Sequence, residues 1–150
     1  MWKEKLKEIQ ETSSKYSLTC VNPGAAKETI ELWSAHVQDT LGVRPPQGFV
    51  DILLYVNGLE WNGSILYGVD QSFLDGPSYP VSGLIEQNEL WHEVEGQRAY
   101  LFLGESNISW YVYELASGRY LELDNPSGQE MAVFHSCAEM LEKLLDDCLS

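Results

Sequence analysis

The stretch Arg44-Pro45-Pro46-Gln47-Gly48-Phe49-Val50-Asp51-Ile52-Leu53-Leu54-Tyr55-Val56-Asn57-Gly58 contains the start, body and stop of one short helix. Pro46 suits the first helical position, where a missing N–H costs little. Phe49, Ile52, Leu53 and Val56 follow the i, i+3, i+4, i+7 spacing of a single buried face. Gly58 can adopt the left-handed conformation that closes a helix. The spacing predicts a helix over 46–56, ended by Asn57-Gly58, that lays one apolar stripe against a core.

Two helices precede it. Trp2, Leu6 and Ile9 fit the outer face of a short N-terminal helix with Lys and Glu opposite, and the polar Thr12-Ser13-Ser14 breaks it. Asn22-Pro23-Gly24 introduces a second helix of about 15 residues. Its stripe is Ile30, Trp33, Val37 and Leu41, and Gly42 terminates it. Downstream, Ile65-Leu66-Tyr67-Gly68-Val69 reads as a strand and Asp75-Gly76-Pro77-Ser78-Tyr79-Pro80 as a turn-rich loop. Ser82 is placed to cap a helix through Leu84, Ile85 and Trp91.

The period then changes. Ala99–Leu103, Ile108–Leu115 and Arg119–Leu123 are β-branched or aromatic runs separated by short turns, and Met131–Phe134 is a further short strand. Ser136-Cys137-Ala138-Glu139 is a capping box. The helix it opens buries Leu141, Leu144, Leu145 and Cys148. Helices lead, an antiparallel meander follows, and a helix closes. The expected fold is α+β, one domain over residues 1–150.

Hydrophobic residues make up 44% of the chain, with 5 Trp, 8 Tyr and 4 Phe, which argues against disorder. No apolar run approaches the roughly 20 residues needed to span a bilayer. The start, Met1 to Glu8, mixes both charges and lacks a signal-peptide apolar region, so the expected location is cytoplasmic. Cys20, Cys137 and Cys148 show no C-x-x-C spacing and read as reduced thiols. The net charge is −14, and residues 1–15 are nearly neutral with four Lys against three Glu. The acidity therefore lies in the body of the chain. Such a body repels nucleic acid and anionic membrane and steers toward basic partners. Simple solubility is the plainer reading of the same charge.

Catalytic motifs are missing. The sequence has no Gly-rich phosphate loop, no H-E-x-x-H and no G-x-S-x-G elbow. His36, His92 and His135 are scattered, without a convergent metal-ligand set. His135 and Cys137 lack an orienting third group. Carboxylate pairs such as Glu93/Glu95 and Asp146/Asp147 are expected by chance among 23 acids. The expectation is a non-enzyme without metal or cofactor.

Strand alternation in Ile108–Leu115 sends Trp110, Val112 and Glu114 to one face and Ser109, Tyr111, Tyr113 and Leu115 to the other. Two readings stay open: burial on both faces, or one face left for binding. Aromatics set among acids suit an interface that anchors by apolar area and selects by charge. Candidate partner-binding residues are Trp110, Tyr113, Glu114, Glu122 and Asp124, although alternation prevents all five from sharing one face.

A family resemblance completes the reading. The helix with Glu28 and Glu31, Leu41-Gly42, the Pro46 helix start, Phe49–Tyr55, Asn57-Gly58 and Leu66-Tyr67-Gly68 appear in an order that resembles the SUKH superfamily of Smi/Knr-type proteins. Leu103-Gly104, the Trp110–Glu114 strand, Gly118, Leu123-Asp124 and the Ser136-to-Leu145 helix continue that order. The resemblance covers approximately residues 22–149. The usual Leu-Pro before the central helix is Pro45-Pro46 here, and residues 70–98 do not align. The resemblance implies an α+β domain without a catalytic set. It also implies an immunity protein that neutralises a cognate polymorphic toxin, often a nuclease, by direct binding. The alternative is a regulatory or housekeeping interaction module with no toxin partner.

Overall fold

The computed structural model describes residues 1–15, 21–74 and 82–150. The Asp75–Pro80 loop and Cys20 lie outside the described residues. Helices α1 (Trp2–Lys15), α2 (Lys27–Leu41) and α3 (Gln47–Leu53) lead into a hairpin of β1 (Leu59–Trp61) and β2 (Ser64–Leu66). Then come α4 (Leu84–Trp91), strands β3 (Tyr100–Glu105), β4 (Ser109–Glu114), β5 (Tyr120–Asp124) and β6 (Glu130–Phe134), and α5 (Cys137–Leu149). All six strands form one antiparallel sheet in sequence order, β1 to β6. The fold is α+β, with helices before the meander and one after it.

Helix α5 covers one face of the sheet. Its stripe of Cys137, Met140, Leu141, Leu144, Leu145 and Cys148 is buried, and Ser136 caps it through the Glu139 N–H at 3.1 Å. Glu139 reaches back to the His135 N–H at 3.4 Å, a capping box displaced by one residue. Helix α1 packs on α5. Trp2, Leu6 and Ile9, expected on an outer face, are buried in this contact. Lys5 pairs with Asp146 at 2.5 Å along its edge. The Thr12-Ser13-Ser14 break does not occur. Thr12 returns its hydroxyl to the Glu8 carbonyl at 2.9 Å, and the helix continues to Lys15.

The stripe of α2 buries Ile30, Trp33 and Val37, and Gly42 ends it at φ 76° with its N–H on the Gln38 carbonyl. Helix α3 is shorter than expected. Regular helix stops at Leu53, because the Leu53 carbonyl accepts from the Ala25 N–H and the chain turns. Gly58 still adopts the left-handed φ, 77°. Asn62 and Gly63, with φ of 50° and 80°, make the two-residue turn of the β1–β2 hairpin. The strand expected over 65–69 is thus the second arm of a hairpin, and it covers only Ser64–Leu66.

Three crossings tie the helical half to the sheet. Asn57 is buried; its N–H donates to the Pro23 carbonyl, and its side-chain oxygen accepts from the Val69 N–H at 2.7 Å. The Gly68 N–H donates to the Ser82 carbonyl, and the Gly68 carbonyl accepts from the Leu84 N–H. Asn88, fully buried on α4, brackets Phe102 on β3: its amide oxygen accepts from the Phe102 N–H at 2.7 Å and its NH₂ donates to the Phe102 carbonyl at 2.9 Å. An added Cβ at Gly68 would meet Asn57 Oδ1 at 2.8 Å and the Asn57 carbonyl oxygen at 2.9 Å. Gly68→Ala should therefore cost about 2 kcal/mol or more, in the overpacking range. Urea unfolding measures it, and a loss below about 0.5 kcal/mol would show that the crossing yields.

Candidate protein-binding surface

The five meander residues singled out above do not form one surface. Trp110 is 3% exposed and sits in an aromatic cluster, with its ring centroid 5.2 Å from Trp91 and 5.7 Å from Phe102. Its indole N–H is buried without a hydrogen-bond partner among the described residues. Nearby, Trp91 stacks on Phe102 and donates to the Tyr67 hydroxyl, which donates to Glu105. Glu122, on the opposite face, is 4% exposed. It accepts from the Ser109 hydroxyl at 2.5 Å, and the Lys143 ammonium lies 3.8 Å away.

The other three are half-buried and already engaged. Tyr113 leans on Tyr120 at 5.1 Å. Glu114 accepts from the Ser117 hydroxyl and from Arg119, whose guanidinium lies at 3.0 Å, and these bonds hold its carboxyl below the ordinary range. Asp124 accepts from the Ser127 N–H and hydroxyl in the β5–β6 turn. Each of the three carboxylates thus serves a turn or a buried network. Trp110 and Glu122 are inaccessible to a docked partner, which corrects the expectation that they contribute to an interface. The strand is covered on both faces, the plainer of its two readings.

Under α5, Tyr111 donates to Asp147, and Asp147 accepts from Lys143 at 2.7 Å. Burial first, then the bond to Asp147, pushes the ionisation of Tyr111 well above the ordinary value. With Ser109 and Glu122, these groups form a polar seam that fixes α5 on the sheet. Each polar group in it has a partner, as buried polar groups require.

A different surface collects unpaired charge. Helices α2 and α4 and the short turn of 3₁₀ helix at Gln71–Phe73 enclose a cleft of about 330 Å³ lined by His36, Asp70, Phe73, Ile85, Glu86 and Glu89. Asp70 lines it, and both of its carboxylate oxygens are engaged. Its carboxylate accepts from Trp33 Nε1 at 2.8 Å and from the Ile85 and Glu86 N–H groups at 3.0 Å each. Asp70, not Ser82, therefore caps α4. Ser82 contributes its carbonyl to Gly68 instead. Glu86 and Glu89 are exposed and have no cationic partner among the described residues. Phe73 lies 5.3 Å from the His36 ring. Leu32, one turn before His36, is 70% exposed, and Leu90, one turn after Glu86, is 54% exposed. Apolar anchors beside bare carboxylates are the chemistry expected of a binding face for a basic protein.

Sequence reading missed this surface because its parts lie on α2, the 71–73 turn and α4, which meet only in the folded chain. Among the described residues, no group of three His, Cys, Asp or Glu is arranged to hold a metal ion, and no helix is long and apolar enough to cross a membrane. No known family profile and no curated protein matches the chain.

Cys137 and Cys148 are buried, and burial pushes each thiol up to about 12 from an ordinary 9.0. Folding thus disfavours their thiolates. The stability tied to them is complete below pH 9 and is lost as pH rises from 9 through about 12. The urea midpoint should fall from pH 9 upward. In Cys137→Ala/Cys148→Ala the fall should begin only near 10, where unfolded tyrosines ionise. Identical profiles for the two proteins would show that the thiols do not contribute.

Proposed function

We propose that this chain is a non-catalytic protein-binding domain of the SUKH, Smi/Knr-like kind. In this reading it acts as an immunity protein, capturing a basic toxin, often a nuclease, by direct contact. The observation that carries the proposal is charge without neutralisation. The chain holds 23 acidic against 9 basic residues. Glu86 and Glu89 stand bare on a cleft that Phe73 also lines, and Leu32 and Leu90 are exposed on the same two helices, α2 and α4. A nuclease must present cationic surface to bind phosphate, so an acidic face competes for the same groups. Charge across the contact sets the encounter rate, while the apolar rim supplies residence time.

Co-expression with a toxin-like protein encoded beside it, scored for rescued growth and co-purification, tests the proposal. Rescue with co-purification is the expected result. Co-purification without rescue favours the regulatory interaction module. The absence of both rescue and co-purification contradicts the proposal. Glu86→Lys/Glu89→Lys should weaken the complex about tenfold or more, chiefly through association rate. Wild-type affinity should also fall between about 0.05 and 0.5 M salt, as screening of exposed charges requires. An affinity indifferent to salt and to both substitutions would remove the cleft from the interface.

A further inference from the structure

Beyond residue 15 the chain has five cationic side chains, Lys27, Arg44, Arg98, Arg119 and Lys143. Arg119 pairs with Glu114 and Glu130, and Lys143 with Asp147 and Glu122. Arg98 donates to the His92 carbonyl. Lys27 and Arg44 have no hydrogen-bond or ion-pair partner among the described residues. Both line one groove of about 260 Å³ between α2 and α3.

The groove has a direction. Helix α3 returns alongside α2, so that the Leu53 carbonyl accepts from the Ala25 N–H just before α2 begins. Lys27 and Leu54 therefore mark one end, and Ser34 and Arg44 the other. Seven residues of helix separate Lys27 from Ser34, a length of about 10 Å at 1.5 Å per residue. Ile30, Val50 and Pro45 supply apolar walls between the two ends. Glu31 also borders the groove, so an occupant with a charged middle would meet a like charge. Gln47, which also lines the groove, donates to Asp51 at 2.8 Å. In a molecule of net charge −14, the general field repels an anion. It has to be recognised locally, by cations that no carboxylate already occupies.

We propose that this groove binds a small elongated organic dianion, an acid group at each end of a short aliphatic stretch, with one end on Lys27 and the other on Arg44. The apolar stretch would lie on Ile30 and Val50. The volume is slightly below the usual ligand-pocket range, which begins near about 300 Å³, so the occupant is small. This site is separate from the acidic cleft on α2 and α4, and its occupancy does not depend on a toxin partner.

Amide chemical-shift titration of the full chain with suberate, octanoate and 1,8-diaminooctane tests it. Suberate should give saturable shifts confined to residues 27–34 and 44–54, binding about tenfold more tightly than octanoate, since it adds a second charge-assisted contact. The diamine should not shift these amides. Lys27→Gln and Arg44→Gln are exposed changes, checked for folding by their unperturbed spectra, and each should reduce suberate to the affinity of octanoate. No saturable suberate shift in this groove, equal binding of the diamine, or undiminished binding in the double variant would each overturn the proposal.

Discussion

One carboxylate joins helix α2 to helix α4 at the point where the chain leaves β2. Asp70 follows the β2 strand by four residues and receives three N–H groups, from the Trp33 indole on α2 and from the first turn of α4. A negative charge at a helix N-terminus satisfies orphan donors and is favoured by the macrodipole. Here the same charge also satisfies a fully buried indole. Without Asp70, Trp33 would hold an unpaired N–H in the core, and α4 would begin with no side-chain acceptor, because Gly83 has none to offer. The fit is close: a Cβ at Gly83 would stand 2.2 Å from Asp70 Oδ1.

The position of α4 has consequences on both of its sides. Its inner side carries Asn88 to Phe102 and sets Trp91 against Phe102 and Trp110, which closes that face of the meander. Its outer side carries the exposed Leu90 and, lining the cleft shared with α2, Glu86 and Glu89. The buried arrangement and the exposed chemistry thus depend on one cap. The opposite face of the sheet is organised independently, by α5 and by the seam of Tyr111, Asp147, Lys143, Glu122 and Ser109.

Much of the fold was legible in the sequence because its signals are local. Gly42 closes α2, Ser136 caps α5, and the meander strands announce themselves by aromatic and β-branched runs between short turns. The Asn62-Gly63 turn carries a strong short hairpin signal that the sequence reading did not take up, because the flanking strands are only three residues each and their apolar character merges with neighbouring sequence. The remaining features are not local. Asp70 caps a helix that starts fourteen residues later, across a segment with no fixed spacing. Ser82 stands where a local cap belongs, and Asp70 satisfies the donors instead. The burial of Trp110 and Glu122 was illegible for a related reason. Alternation gives two faces for Trp110 and Glu122, but it cannot say that α4 covers one and α5 the other. The acidic cleft depends on three elements meeting, which no periodicity reveals.

The most direct test of this account is the unfolding free energy of Asp70→Ala in urea. Loss of the cap and of the partner of a buried indole should together cost about 3 kcal/mol, combining cap loss with the penalty for an unsatisfied buried donor. A loss within about 0.5 kcal/mol of zero, the range of an ordinary surface substitution, would contradict the claim that this carboxylate fixes α4 to α2.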